Sequence, residues 1–273
     1  MKRGLPRLPV REKTEFSPED EERIMTKPTI IRNFSEIATD GLDLRGRWPG
    51  WDMRLVLNDD NCTYLLWNEK TREAAWVDPM REDWEVLTAE SRRLLDQGYR
   101  FIAVLDSHTH ADHISNASDL AKFTGAPLVQ HEAAPSRRVE LRVSRDTVLS
   151  TAAGPFRLLC TPGHTPDSVT LIWGPFILGA DTLLYGDTGR DDLPGGDPSA
   201  HYDTLQKIKA HASSEMVLLP GHDGSGGRAS SWATQMKENA SLTQDRETFV
   251  REAGAYVGPA PKNLKESLFE NFK

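Results

Sequence analysis

The chain has 273 residues, 38% apolar content and a formal net charge of −8 at neutral pH, enough to bury a substantial core in one domain, although the length alone would also accommodate two. The acidic balance argues against a nucleic-acid partner, whose phosphates call for a basic face, and no apolar run approaches the roughly 20 residues of a membrane helix. Two cysteines, Cys62 and Cys160, are too few for a disulfide framework, so a reducing cytoplasm is the expected location.

Residues 1–50 read as an extension, polar, charged and without sustained alternation. The basic opening Met1–Pro6 is followed by no apolar segment, and Glu12, Glu15, Glu19, Asp20, Glu21 and Glu22 soon turn it acidic. It therefore reads as neither a signal peptide nor an organelle presequence. Ser17-Pro18-Glu19-Asp20 has the cap, the first-turn proline and the acidic first turn of a short helix. The strand-rich core is expected to start near Trp51 and run to about residue 240. Met53–Leu57 and Cys62–Trp67 flank the turn-rich Asn58-Asp59-Asp60-Asn61, and a second hairpin turn at Asn68–Arg72 leads to a strand over Ala74–Val77. Asp78 ends that strand, where turn capping or support of a site is its expected role. Trp84–Leu95 and Ser115–Phe123 have helical spacing of apolar positions, and Gly125–Val129 returns as a strand. Residues 241–273 read as a helical tail, packing on the domain or on a dimer partner, in which Tyr256–Lys273 forms a surface strap ending in a short helix. Trp67, Trp76, Trp173 and Trp232 are expected in the core rather than along a pocket.

The apolar run Phe101–Leu105 ends in Ser107-His108-Thr109-His110-Ala111-Asp112-His113, three imidazoles and a carboxylate in six consecutive positions. His108 and His110, two apart, project to one side of an extended segment, while Asp112 and His113 fall where the chain turns. Three later strand ends repeat the arrangement. Leu158-Leu159-Cys160-Thr161 runs into Pro162-Gly163-His164, Val217-Leu218-Leu219 runs into Pro220-Gly221-His222, and Phe176–Ala180 ends in Asp181. Proline stops a ladder and glycine permits a sharp backbone path, so each strand delivers its terminal side chain to the sheet edge. Four such ends point to one metal site. Residue types alone leave zinc, iron and nickel open. His131, His201 and His211 lack these settings and are expected to be structural or surface histidines.

The set His108, His110, Asp112, His113, His164, Asp181 and His222 resembles the signature of the metallo-β-lactamase-fold superfamily over roughly residues 52–230. The resemblance implies an α/β fold, an αββα sandwich of two mixed sheets flanked by helices, and leaves the reaction open. Two occupancies are compatible with it. With two zinc ions, His108, His110 and His164 hold one, Asp112, His113 and His222 the other, and Asp181 bridges them, which activates a water toward a thioester or lactone carbonyl. In that reading Asp112 is a ligand and proton carrier, and Tyr185 is a candidate donor to a carbonyl oxygen. With one iron(II) per chain, His108, His164 and Asp181 form a facial triad that leaves positions for dioxygen and a substrate sulfur, and Asp112 and His113 orient the ligands.

The tracts Cys62–Leu66, Thr71–Pro79, His108–Ser115, Gly189-Arg190-Asp191-Asp192 and Pro220–Asp223 resemble the persulfide dioxygenases. That resemblance favours iron and a thiol- or glutathione-derived small-molecule substrate, and assigns Arg190 as the guanidinium that holds its carboxylate. Thr188 stands where that family commonly has cysteine, and Gly189–Asp197 also resembles a loop of hydroxyacylglutathione hydrolase relatives. The competing assignment for Arg190 is an ion pair with Asp187, Asp191 or Asp192. The extension is expected to cover the site's mouth or a face of a homodimer.

Overall fold

A computed structural model describes residues 29–38, 41–261 and 263–273. The helix expected at Ser17-Pro18 lies outside the described residues. Seven strands form the first sheet in sequence order: β1 (Ile30–Asn33), β2 (Trp51–Asn58), β3 (Asn61–Asn68), β4 (Glu73–Val77), β5 (Arg100–Leu105), β6 (Leu128–His131) and β7 (Leu141–Val143). The second is β8 (Thr147–Thr151), β9 (Gly154–Cys160), β10 (Val169–Trp173), β11 (Phe176–Ala180), β12 (Val217–Pro220) and β13 (Ser230–Ser231), also in consecutive order. Both sheets are mixed. The β4–β5, β5–β6, β6–β7 and β11–β12 pairs are parallel and the others antiparallel. Three of them are joined across a helix, the usual parallel crossover: β4–β5 by α3 (Trp84–Asp96), β5–β6 by α4 (Ala117–Thr124) and β11–β12 by α5 (Pro198–His211), whereas residues 132–140 join β6 to β7 without one. Two short helices, α1 (Phe34–Ile37) and α2 (Leu44–Arg47), link β1 to β2, and α6 (Trp232–Glu238), α7 (Arg246–Ala255) and α8 (Leu264–Asn271) complete the chain.

Three apolar clusters show why the layers stack as they do. Met53, Leu55, Leu66, Val77, Phe156, Leu171, Trp173 and Leu178 fill the space between the sheets. Val56, Leu65, Trp76 and Val104 alternate to the other face of the first sheet and meet Leu87 and Leu94 of α3 and Leu120 of α4. Ile172, Ile177 and Leu218 of the second sheet meet Leu205 and Ile208 of α5, Trp232 of α6 and Phe249 of α7. Period-two alternation thus gives each sheet two apolar faces, and helices cover the outer one. The architecture is the αββα sandwich. The four tryptophans expected in the core are all buried.

The expected strands and helices of the first half form with boundaries shifted by one to three residues. The Asn68 carboxamide builds the second hairpin turn by accepting from the backbone N–H groups of Lys70 and Thr71. The sheet, however, begins earlier than Trp51: β1, from within the extension, pairs with β2 in the register Ile30↔Leu57 to Asn33↔Arg54. Its exposed pattern carried no apolar alternation to reveal it, because an edge strand is held by backbone bonds.

Candidate metal centre

The loops that carry the candidate ligands gather because β4, β5, β9, β11 and β12 all point their C-terminal ends to one rim. The sheets are stitched together there: Cys62 N donates to Gly221 O (2.8 Å), Asn61 bridges His222, and the buried Tyr64 hydroxyl donates to Pro220 O (2.8 Å). Glycine is required where these loops cross. At Gly163 (φ +152) a Cβ would lie 2.4 Å from the Cβ of His201, and at Gly221 it would lie 2.2 Å from Asp181 Oδ1.

Three of the seven candidates form a compact, buried group. His108, His164 and Asp181 present one ligand atom each, all within 4.8 Å of one another. Asp181 Oδ2 lies 3.5 Å from His164 Nε2 and 3.9 Å from His108 Nε2. Their hydrogen bonds leave the right nitrogen free. His164 Nδ1 lies 2.6 Å from the Arg190 carbonyl, which can only accept, so the proton sits on Nδ1 and the Nε2 lone pair faces Asp181. Ser107 Oγ donates its proton to Asp78 Oδ2 (2.8 Å) and therefore accepts from His108 Nδ1 (2.9 Å), again leaving Nε2 as the acceptor. Burial first, then the neighbouring His110, push His108 down to about 3, so the ring is neutral as a ligand must be. Burial opposes ionisation of Asp181, but His222, His108 and His164 hold its carboxyl well below the usual carboxylate range. A borderline divalent ion fits this donor set.

The remaining candidates are arranged differently. His110, Asp112 and His113 form a second group, and His110 also belongs to a buried group with Asp78 and Asp106. His110 Nε2 lies 3.3 Å from Asp78 Oδ1. Against the effect of burial, Asp78 raises His110 to about 9. His113 Nδ1 lies 3.1 Å from Asp112 Oδ2, and its Nε2 is buried without a hydrogen-bond partner among the described residues. His222, about a quarter exposed, sets Nε2 3.2 Å from Asp181 Oδ2 and 3.8 Å from Asp112 Oδ2. Burial opposes its charging, yet Asp181, Asp60 and Asp112 raise it well above the ordinary histidine value.

The centre opens into a cleft of about 670 Å³ whose lining includes His108, Asp112, His164, Asp181, His222 and Arg190. The Arg190 fork is engaged within the chain. Asp192 takes Nε and Nη2, Pro259 O accepts from Nη1 (2.6 Å), and Gly258 O accepts from Nη2 (3.0 Å). Tyr256, whose ring lies beneath the guanidinium at 5.6 Å, and Pro261 bring the tail strap into the wall of the same cleft. Tyr185 lines a separate pocket with Arg228 and Gln235, and its hydroxyl lies 2.9 Å from Leu218 O and 2.5 Å from Arg228 O.

Several supporting residues carried no local signal. Asp167 accepts from the Thr109 backbone N–H (2.9 Å) and hydroxyl (2.5 Å), tying the first ligand loop to the one bearing His164. His201, fully buried, lies 2.7 Å from both Asp191 Oδ1 and Thr182 O. Asp60 joins the cleft beside His222. Asp78, the carboxylate expected to cap the turn or support the site, accepts from the Ser107 backbone N–H (2.7 Å) and from its hydroxyl (2.8 Å).

No family model matches the chain. It is 30% identical over 207 residues to hydroxyacylglutathione hydrolase of Anaeromyxobacter dehalogenans, covering 75% of this chain and 78% of that one. It is 24% identical over 225 residues to the mitochondrial persulfide dioxygenase ETHE1 of Homo sapiens, 81% of this chain and 87% of that one. A β-lactamase hydrolase-like protein of Xylella fastidiosa is 30% identical over 244 residues, 76% of this chain, but the chain spans only 56% of that relative's length. Among solved structures, ETHE1 from Myxococcus xanthus superposes with a TM-score of 0.72 at 27% identity, covering 81% of this chain and 97% of that one. The two-sheet fold, the rim of histidines and carboxylates and these relatives agree: the chain belongs to the metallo-β-lactamase-fold superfamily.

Proposed function

We propose that the protein is an iron(II)-dependent oxidoreductase of the persulfide dioxygenase kind, acting on glutathione persulfide or a related thiol. The observation that carries this reading is how the ligand atoms group: those of His108, His164 and Asp181 lie within 4.8 Å of one another, while the His110 nitrogen groups with Asp78 and Asp106, and with Asp112 and His113, although its ring centroid lies 4.3 Å from that of His108. When bound there, iron(II) supplies a centre with open positions for dioxygen and a sulfur. The overall reaction consumes one dioxygen and one water per persulfide and releases sulfite and the thiol. The chain's own groups hold the substrate. Leu184, Leu193, Phe249 and Ala253 give the cleft apolar wall, and Arg190 stands at the strap as the group for a substrate carboxylate, which must share the fork with Asp192.

A second reading, a dinuclear zinc hydrolase of thioesters or lactones, draws support from His222, which approaches both Asp181 and Asp112, and from the partnerless Nε2 of His113. Tyr185 contributes to neither reading while its hydroxyl is held by backbone carbonyls. The test is anaerobic reconstitution of the apoprotein with iron(II), addition of glutathione persulfide, and simultaneous measurement of dissolved oxygen and sulfite. Stoichiometric uptake with sulfite is expected. No uptake by protein verified to hold iron overturns the dioxygenase and directs attention to zinc-loaded protein with thioester and lactone substrates.

A further inference from the structure

The ligand loop between Asp106 and Asn116 has neither helical nor ladder bonds along most of its length, so side chains from elsewhere fix its path. Asp78 holds Ser107, and Asp167 holds Thr109. The next stretch is held from the far end of the chain. Asn271, the last residue of α8, donates from Nδ2 to His110 O and to His113 O, each at 2.9 Å, and its Oδ1 accepts from Ser115 N at 2.9 Å. A planar carboxamide has two N–H donors and an acceptor on opposite branches. Here both donors and the acceptor are used, and the same three bonds fix which branch is nitrogen.

We propose that Asn271 is a positioning residue of the metal centre, an outer clamp through which the C-terminal helix sets the path of the 108–113 loop and hence how tightly the ion is held. The inference rests on the metal-binding reading of the site and not on which reaction the site performs. The clamped carbonyls belong to His110, two residues after His108, and to His113, and together they bracket Asp112, so slack in this loop moves a candidate ligand directly. Only glutamine carries the same carboxamide, and its extra methylene would carry the group past these three backbone partners. Aspartate has no N–H and would set a carboxylate against two carbonyl oxygens, and alanine leaves all three backbone groups to water. Partners that orient metal ligands are typically worth 10–100-fold in metal affinity.

The test uses the full chain with cobalt(II) as a spectroscopic probe and iron(II) in parallel, each titrated against a chromophoric chelator. The variants are Asn271→Ala and Asn271→Asp. The comparison variant is Glu270→Gln, one residue earlier on the same helix, which removes the ion pairs to Arg81 and Lys273 but not the clamp. Both Asn271 variants are expected to bind at least ten-fold more weakly and to show a shifted cobalt absorption band, with apoprotein melting within a few degrees of wild type, while Glu270→Gln keeps wild-type affinity and spectrum. Unchanged affinity and spectrum in both Asn271 variants would overturn the proposal. So would a loss of affinity that follows apoprotein melting equally in all three variants, because the helix would then act only by docking. Wild-type protein that takes up neither metal would overturn the metal-binding reading itself, an outcome distinct from either of these.

Discussion

Replacing His201 by leucine perturbs the site through a buried hydrogen-bonded pair, His201–Asp191, standing behind the cleft wall. His201 is 0% exposed and its Nδ1 lies 2.7 Å from Asp191 Oδ1, while Asp191 Oδ2 is already buried without a hydrogen-bond partner among the described residues. Leucine of similar bulk keeps the packing against Phe249 but strands the carboxylate. Breaking one side of a buried pair costs about 3–5 kcal/mol, and the Thr182 carbonyl loses its donor at about 1–3 kcal/mol. Because the two losses share one side chain they do not add fully, and a total of about 4–6 kcal/mol is expected. Against a typical native stability of about 5–15 kcal/mol, and at about 2–4 °C per kcal/mol for a domain of this size, Tm should fall by roughly 10–20 °C. The measurement is urea unfolding of the metal-free protein followed by circular dichroism, with calorimetry for Tm. Asp191→Asn in the same background should recover at least about 2 kcal/mol, since the stranded charge disappears. A cost below about 1 kcal/mol for His201→Leu, or strict additivity in the double variant, would refute the reasoning. The consequence reaches the metal, because the loop pinned by Asp191 presents the Arg190 carbonyl that orients His164.

Three further outcomes are expected. Asp181→Asn should abolish stoichiometric iron binding, whereas His113→Gln should retain about one iron per chain by elemental analysis; loss of iron from both variants would favour the dinuclear arrangement. Asp192→Asn should free part of the Arg190 fork and lower KM for glutathione persulfide severalfold at unchanged kcat. The Arg190 hydrogen bonds hold Asp192 down to about 2, so this carboxylate stays charged even below the pH at which an ordinary carboxylate protonates, and is neutralised only as pH falls through about 2. The KM difference should therefore be flat from pH 5 to 9, and one that vanishes toward pH 5 would contradict the pairing. Gly221→Ala would drive a methyl to 2.2 Å from Asp181 Oδ1; metal affinity should drop more than ten-fold in chelator competition while apoprotein melting falls by only a few degrees, and unaltered affinity would show that the loop yields freely.

What the sequence determined by itself is the part governed by local chemistry. Alternation in Met53–Leu57 and Cys62–Trp67, the helical spacing of Trp84–Leu95, and the Pro-Gly-His endings at His164 and His222 depend on neighbours a few residues away, so these elements and the candidate ligand positions could be read from the residues, while the αββα sandwich was implied by the family resemblance. Tertiary structure decided how the roster divides. Asp78, 32 residues before His110, lies against that ring, and His108, His164 and Asp181 meet across 73 residues of chain. It also turned Arg190 toward Asp192 and the Gly258–Pro259 carbonyls, held the Tyr185 hydroxyl at backbone oxygens, buried His201 on Asp191, recruited β1 from the extension and brought Asn271 to the His110 loop. Apart from the Arg190–Asp192 pair, whose partner was among the neighbours the sequence offered, each of these is a polar pairing between distant segments. A hydrogen-bonding side chain leaves no periodic trace in its own stretch of sequence, because its partner is fixed only when the sheets close on one another.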